Sequence, residues 1–175
     1  PDIQYFIGES YRFLEQYKNA TSAYDAALKL DPAFAPAYLG KGRVQLQSTP
    51  PDAKSAEKNF QKAVEIDPLM HEAILELANA SIARGDAEAA LAWVNQLADS
   101  MPRSSLVETI RARAYLMQGE LKLALSAIEK ANEYDVSSLP VYKMWAEILQ
   151  ANERYKESLE PLNIFLTYSS SDAGT

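Results

Sequence analysis

The chain repeats one pattern of small and large residues about every 34 positions, five times over. In each copy a small residue stands four positions before a large apolar one. The pairs are Ala20 with Tyr24, Ala56 with Phe60, Ala90 with Val94, Ala124 with Ile128, and Ser158 with Leu162, and their first residues lie 36, 34, 34 and 34 positions apart. A fixed period of this length is typical of a solenoid, in which each unit buries its apolar face only by stacking on its neighbours.

Each period predicts two amphipathic helices. In the third period, Ile74, Leu77, Ala78 and Ile82 lie at i, i+3, i+4 and i+8, which is one helical stripe, and Gly85 follows in a turn, where glycine is free to take a positive φ. The predicted helices span 2–14 and 18–30, 36–48 and 53–66, 71–84 and 87–99, 105–118 and 121–133, and 139–152 and 155–168. The predicted repeats are 1–34, 35–70, 71–104, 105–138 and 139–168, and a flexible polar tail is predicted at 169–175.

Proline marks the boundaries of these predicted helices. Pro32, Pro68 and Pro102 follow second helices, where a missing N–H and a fixed φ stop the helix. Pro36 and Pro140 stand in first turns, where the missing N–H costs nothing. At the end of the fourth period, which has no proline, the serines at 137 and 138 are expected to supply capping groups.

Two departures from the period carry predictions of their own. The second period has two extra residues, which we place in a longer turn at 48–52. Pro161 lies inside the pattern of the last helix and is expected to kink it, because it removes the hydrogen bond to the carbonyl of Glu157.

Composition and charge exclude several classes of function. The 175 residues contain no cysteine, so disulfides and thiolate metal sites are absent, and the net charge of −7 comes without a basic stripe for nucleic acid or an anionic membrane surface. No apolar run approaches the ~20 residues that span a bilayer. Because the chain starts at Pro1, we interpret it as part of a longer protein, which leaves the compartment, cytoplasmic or periplasmic, open.

The sequence gives no sign of catalysis. His71 is the single histidine, so neither a multi-histidine metal site nor a serine–histidine pair is expected, and the phosphate-binding glycine motifs do not occur. We therefore expect a protein that is not an enzyme and that uses no cofactor and no metal.

The repeated positions resemble the tetratricopeptide repeat, whose pattern is W-x2-L-G-x2-Y, then A-x3-F, then P. The matching residues are Gly8, Tyr11, Ala20, Tyr24 and Pro32 in the first period; Gly42, Ala56, Phe60 and Pro68 in the second; Leu77, Ala78, Ala90 and Pro102 in the third; Ala112, Tyr115, Ala124 and Ile128 in the fourth; and Trp145, Ala146, Ser158 and Leu162 in the fifth. The resemblance covers residues 1–168. It implies an all-α, right-handed superhelical solenoid whose first helices line a concave groove that binds a peptide segment of a partner protein.

Placing the family's groove positions on this sequence gives a candidate binding surface. It consists of Tyr5, Glu9, Leu39, Arg43, Leu75, Asn79, Ile82, Thr109, Arg113, Leu116 and Met117. Arg43, Asn79 and Arg113 offer donors to carboxylates and peptide carbonyls, and the apolar members suit an amphipathic segment with one acidic group. The alternative is that both arginines pair with local acids such as Glu72, Glu76 and Glu108.

A second hypothesis concerns the last predicted helix, which is apolar and has no following repeat to cover it. Leu162, Phe165 and Leu166 are expected to remain partly uncovered, and solenoids require a polar cap at each end. The chain then serves as a spacer or self-association segment of a larger multidomain protein, with homo-oligomer contacts through this helix.

Overall fold

The computed structural model describes residues 1–169, which form ten α-helices and no strand. The helices are α1 Asp2–Phe13, α2 Tyr17–Leu30, α3 Ala35–Gln47, α4 Ala53–Ile66, α5 His71–Ala83, α6 Ala87–Asn95, α7 Ser105–Met117, α8 Leu121–Tyr134, α9 Leu139–Ala151 and α10 Tyr155–Ser169. The ten predicted helices are confirmed, and each predicted boundary lies within one residue of the observed one except at the end of α6. The predicted tail lies outside the described residues, apart from Ser169, which ends α10.

Helix α6 ends at Asn95, four residues earlier than predicted. The chain then tightens into turns, in which the N–H of Gln96 bonds the carbonyl of Trp93 and that of Leu97 bonds Val94, both at 3.2 Å. These bonds span three residues instead of four and so end the regular helix. Leu97 is nevertheless fully buried, which explains why its apolar periodicity predicted a longer helix.

The residues fall into two compact units, Pro1–Ala80 and Ser81–Thr175. In the first unit, α1 packs on α2, α2 on α3, and α3 on α4. Tyr24 of α2 is fully buried, and its ring lies so close to Gly8 and Gly40 that a Cβ on either glycine would stand 2.5 Å from a ring carbon. The small and large residues of the repeat are therefore direct packing partners.

In the second unit, α6 packs on α7, α7 on α8, α8 on α9, and α9 on α10. Its core joins the two helices on either side of a repeat boundary. The buried residues of this cluster are Ala124, Ala127, Ile128 and Ala131 of α8, Val141, Met144 and Ile148 of α9, and Ala112 of α7. The α8–α9 junction shows how one repeat of this chain buries the first helix of the next.

The turn between the two helices of a repeat has a recurring backbone form. Glu15, Gly85, Gly119 and Glu153 occupy the same repeat position and all have positive φ, between 57° and 81°. Their N–H groups bond carbonyls three residues back, and the next N–H bonds a carbonyl five residues back, which closes the helix end. The second period differs as predicted, because residues 48–52 form a five-residue connection between α3 and α4.

The ends of second helices use aspartate as well as proline. The carboxylates of Asp31, Asp67 and Asp135 each accept a hydrogen bond, at 2.9–3.0 Å, from the N–H two residues ahead. Ser138 is the N-cap residue of α9, but its side chain makes no cap bond, so its predicted side-chain role is wrong. The hydroxyl of Ser137 donates to the Asp135 carboxylate at 2.6 Å. Helix α10 continues through Pro161, which is buried.

Candidate functional site

The first unit holds a cluster of polar side chains around Glu9 of α1. Arg12 donates to both carboxylate oxygens of Glu9, at 3.2 Å from Nε and 2.7 Å from Nη2, and the Tyr24 hydroxyl donates to Oε1. Burial acts to raise the pKa of Glu9, but the hydrogen bonds from Arg12 and Tyr24 outweigh it and hold that pKa below its ordinary value. Glu9 was predicted to be a groove residue, and the structure shows that its carboxylate is already fully engaged.

Arg43 of α3 pairs with Glu76 of α5, with 3.0 Å between Nε and Oε1. This is the local pairing that the sequence left open as an alternative. Only Nε is used, so four N–H donors of the guanidinium make no hydrogen bond within residues 1–169. Both side chains are about a quarter exposed, at 29% and 25%, so Arg43 stays accessible to a ligand.

Arg43 and Glu76 line an open depression of about 240 Å³ together with Arg12, Leu46 and Gln47. Arg12 Nη1 lies 3.5 Å from Gln47 Oε1, which links α1 to α3 across the floor of the depression. The lining combines cationic, anionic, amide and apolar groups. This mixture is suited to a peptide backbone with a side chain of either charge and excludes a strongly apolar ligand.

The predicted apolar residues of the first unit are mostly part of its core. Leu39 and Leu75 retain 5% and 9% of their surface, so they support the helices and leave a ligand little to contact. Tyr5 is half-buried, and its ring packs against Phe34 and Tyr24 with centroids 5.9 and 6.0 Å away. Burial and the nearby Glu9 charge raise the pKa of Tyr5, so its hydroxyl stays a neutral donor.

Asn79 of α5 differs from its predicted neighbours. It is exposed, and its side chain makes no hydrogen bond within residues 1–169. Its amide is therefore able both to donate and to accept.

The predicted residues of the second unit are more accessible. Arg113 of α7 is exposed and makes no ion pair within the described chain, because Glu108 pairs with Arg111 instead, at 2.5 Å. Met117 is 41% exposed and Leu116 is half-buried.

The two other predicted members of this surface are less available. Ile82 is half-buried, and the hydroxyl of Thr109 donates to the carbonyl of Ser105 at 2.7 Å. A ligand on this unit would therefore meet Arg113 and Met117 first.

The last helix has the partial exposure that the sequence predicted. Leu162 and Phe165 of α10 are half-buried, and Leu166 is 59% exposed. Tyr155 and Leu159 on the same helix are 63% and 58% exposed. These five side chains extend the apolar surface beyond the three residues that sequence reasoning selected.

The sequence analysis overlooked a larger apolar surface on α1. Four side chains of α1 and that of Leu14, the residue after it, are exposed: Ile3 by 76%, Phe6 by 64%, Ile7 by 40%, Phe13 by 75% and Leu14 by 66%. Their spacing of three, four and seven was visible in the sequence. It was missed because a terminal apolar stripe was sought only at the last helix.

Within residues 1–169, no group of three or more histidine, cysteine or acidic side chains is placed to hold a metal ion. Over the same range no helix combines the length and the apolarity required to cross a membrane. His71 is partly exposed at the start of α5.

Two family models of the tetratricopeptide repeat match the chain, over residues 1–34 and 52–114, which together make up more than half of it. Tetratricopeptide repeat protein 6 of Homo sapiens is 28% identical over 119 residues. That match covers 67% of this chain and 23% of the human protein, so the chain spans less than a quarter of this relative's length.

Several solved structures share the fold at low sequence identity. A crystal structure of MamA protein has a TM-score of 0.77 at 20% identity, covering 98% of this chain and 93% of that one. The PilF structure from Pseudomonas aeruginosa has a TM-score of 0.83 at 18% identity, covering 95% and 75%. YrrB, described as a TPR protein with an unusual peptide-binding site, has a TM-score of 0.73 at 20% identity, covering 94% and 84%. Given its two family-model matches and its ten helices in the predicted order, the chain belongs to the tetratricopeptide-repeat family and has that family's all-α fold.

Proposed function

We propose that this chain is a non-catalytic protein-interaction module that binds a peptide segment of a partner protein through the first helices of its repeats. Tetratricopeptide-repeat proteins are generally non-catalytic scaffolds for protein–protein interactions. YrrB, which shares the fold, is described as having a peptide-binding site. Neither point identifies the residues of this chain that would contact the peptide.

The observation that carries the proposal is the set of unused donors at the predicted positions. Arg43 keeps four free N–H groups, Asn79 keeps its whole amide, and Arg113 makes no ion pair within residues 1–169. Peptides present carbonyl and carboxylate acceptors that such groups bind, and charge-assisted bonds from arginine are the strongest of them. Met117 and Leu116 add partly exposed apolar contacts beside Arg113.

The test begins with a ligand selected from a displayed library of random peptides, whose affinity is then measured as a synthetic, fluorescently labelled peptide. We expect a Kd on the order of 1 μM. The double change Arg43→Ala and Arg113→Ala should weaken an acidic ligand by roughly ten- to a hundredfold for each bond lost, since a hydrogen bond to a charged group contributes about 1.5–3 kcal/mol.

The matched control is Lys62→Ala, which removes an exposed cation from α4, a second helix. It should leave the affinity unchanged. If the arginine variant binds as tightly as the wild type, or if Lys62→Ala weakens binding equally, the site assignment is wrong and the contact is general charge attraction.

A second candidate function is self-association through α10. The observation that favours it is the partial exposure of Leu162 and Phe165, because the residues at these two repeat positions in the other four repeats are completely buried. Sedimentation velocity over a wide concentration range tests it. Growth of the sedimenting species with concentration, lost in Phe165→Asp, supports this function, and a monomer at all concentrations rejects it.

A further inference from the structure

The exposed apolar face of α1 occupies repeat positions that other repeats bury. Counted along the repeat, Ile3 aligns with Ala37, Val107 and Val141, which are 0%, 2% and 1% exposed, whereas Ile3 is 76% exposed. Phe6 aligns with Gly40, Ile110 and Met144, which are buried, and with Glu76, whose side chain is 25% exposed, whereas Phe6 is 64% exposed. The face of α1 is therefore built like the face that later first helices bury.

Two junctions within the chain show what that face packs against. In the first unit, Ala37 and Val44 of α3 share a cluster with Ala20, Tyr24 and Ala27 of α2. In the second unit, Val141, Met144 and Ile148 of α9 share a cluster with Ala124, Ile128 and Ala131 of α8. In both, a first helix packs on the second helix of the preceding repeat.

Helix α10 presents the corresponding second-helix face, and within residues 1–169 no first helix of a following repeat packs on it. Leu162 aligns with Tyr24 and Ile128, and Phe165 aligns with Ala27 and Ala131, all of which are 0% exposed. Leu162 and Phe165 are only half-buried, and Leu166 beyond them is 59% exposed. The chain thus carries both halves of one repeat junction on its first and last described helices.

We propose that α1 of one copy packs on α10 of a second copy, in the same contact by which α3 packs on α2 and α9 packs on α8. This inference rests on the self-association that was proposed as the second function and names the surface that α10 binds. The contact is heterologous, since it joins two different faces. Repeated, it adds copies in one direction and does not stop at a dimer unless the array closes into a ring.

The internal junction also predicts which side chains meet. At the α8–α9 junction, Nδ2 of Asn152 lies 3.5 Å from the carbonyl of Leu121. The aligned residues in the proposed contact are Leu14 of one copy and Tyr155 of the other, which are 66% and 63% exposed. The internal contact joins a side chain to a main-chain carbonyl, whereas the proposed contact has a large exposed side chain at each of the two positions.

Charge favours this arrangement over a symmetric pairing of two α1 helices. No charged residue stands at positions 3, 6, 7 and 10 of α1 or at 158, 162, 165 and 166 of α10, so the contact buries no unpaired charge. Next to the Leu14–Tyr155 pair stand Glu15 and Lys156, which have opposite charges. An antiparallel pair of α1 helices would instead place Asp2 near Glu15, where like charges repel.

The exposed apolar surface of α1 is comparable with the largest apolar patches on monomeric proteins, which are often functional. Full burial of a phenylalanine covers about 150–250 Å², so the 64% exposure of Phe6 leaves roughly 100–160 Å² on this side chain alone. With Ile3, Ile7 and Leu14 the patch reaches the ~300–600 Å² that the largest patches on monomers attain. An interface of this size is small, so we expect weak, concentration-dependent assembly.

The experiment uses two variants that each disable one face. Phe6→Asp changes α1 and Leu166→Asp changes α10, and both side chains are mostly exposed, so neither is needed for the fold of the monomer. Leu123→Asp, at a 48% exposed site on α8 outside both faces, is the matched control. Circular dichroism checks that each variant folds, and Phe165→Asp is a second variant of the α10 face.

Sedimentation velocity should show growth beyond the dimer for wild type and for Leu123→Asp. Phe6→Asp and Leu166→Asp should each lose every species larger than the monomer when alone. Mixed in equal amounts, they should form a dimer and nothing larger, because each contributes the one face that the other lacks.

Three results would overturn the inference, and they differ in whether self-association through α10 is still supported. If Phe6→Asp still associates and Leu166→Asp does not, α10 binds another surface, so self-association stands but the α1 contact is wrong. If the mixed variants stay monomeric, the two faces do not bind each other. If wild type is monomeric at every concentration, both this inference and the second proposed function fail.

Discussion

Arg43 on α3 donates from Nε to Oε1 of Glu76 on α5 at 3.0 Å, and a ligand carboxylate bound as we propose would compete with this contact. The two side chains are 29% and 25% exposed, so solvent screens the pair and its net contribution to stability is small, about 0–1 kcal/mol. A ligand that brings its own carboxylate therefore meets a weakly held arginine. In the proposed site, Glu76 competes with an acidic ligand for Arg43.

We predict that Glu76→Gln strengthens the binding of an acidic peptide by about three- to tenfold, because it removes both the competing carboxylate and a like charge. The labelled peptide selected for the proposed function reports this as a lower Kd at low ionic strength. Glu65→Gln, which removes an acid from the exposed pair with Lys62, is the control and should have little effect. Weaker binding by Glu76→Gln would instead mean that Glu76 contacts the ligand directly.

The order and length of the helices were predictable from sequence because residue types at nearby positions define the repeat. Small residues such as Gly8 recur with large ones such as Tyr24, and the structure places those two in direct contact. Proline and positive-φ turn positions then fix the helix boundaries. The end of α6 escaped prediction because its periodicity continues to Leu97 through turns that are not α-helical.

The candidate binding surface was predictable only in part, because the accessibility of each side chain depends on contacts between distant residues. Glu9 and Arg12 are three apart, so their pairing was open to sequence reasoning, but the hydroxyl of Tyr24 comes from another helix. Leu39 and Leu75 have groove positions in the family pattern, and a small rotation of each helix decides whether such a residue faces solvent or the core. The structure buries both.

The packing of Tyr24 on Gly8 yields a second prediction. In Gly8→Ala the added Cβ would stand 2.5 Å from a carbon of the buried ring, so the ring or α1 must shift. Overpacking of this kind costs about 1–3 kcal/mol, more than the gain in helix propensity. Urea unfolding followed by circular dichroism should show the loss. Ser22→Ala, at an exposed site on α2, should change stability by less than about 0.5 kcal/mol.

The turn positions give a third prediction with opposite signs at two sites. Gly119 has a φ of 76° and open space around its missing Cβ, so Gly119→Ala should destabilise through backbone strain alone, by about 1–2 kcal/mol. Glu15 has a φ of 57° in the equivalent turn. Glu15→Gly should therefore stabilise, by up to about 1 kcal/mol after the entropy cost of glycine.

Thermal unfolding of the two single variants and of the wild type tests this pair. A lower Tm for Gly119→Ala together with a higher Tm for Glu15→Gly is the expected result. Equal shifts in the same direction would show that side-chain contacts of Glu15, and not its backbone conformation, determine the outcome.

The cluster around Glu9 makes the stability of the first unit depend on acid. Because hydrogen bonds from Arg12 and Tyr24 overcome burial and lower the pKa of Glu9 below its ordinary 4.5, the folded state binds this proton less tightly than the unfolded state does. The stabilisation is therefore fully present above the ordinary pKa of glutamate and disappears as the pH falls through the lowered pKa of the folded protein.

We predict that Glu9→Gln is less stable than wild type at neutral pH and that the difference shrinks on acidification. Urea unfolding at a series of pH values measures it, with exposed Glu133→Gln on α8 as a control that should show no such convergence. Tyr24→Phe keeps the ring against Gly8 but removes the hydroxyl donor, so it should lose part of the same pH-dependent stability; a pH-independent loss in both variants would show that packing alone accounts for their effect.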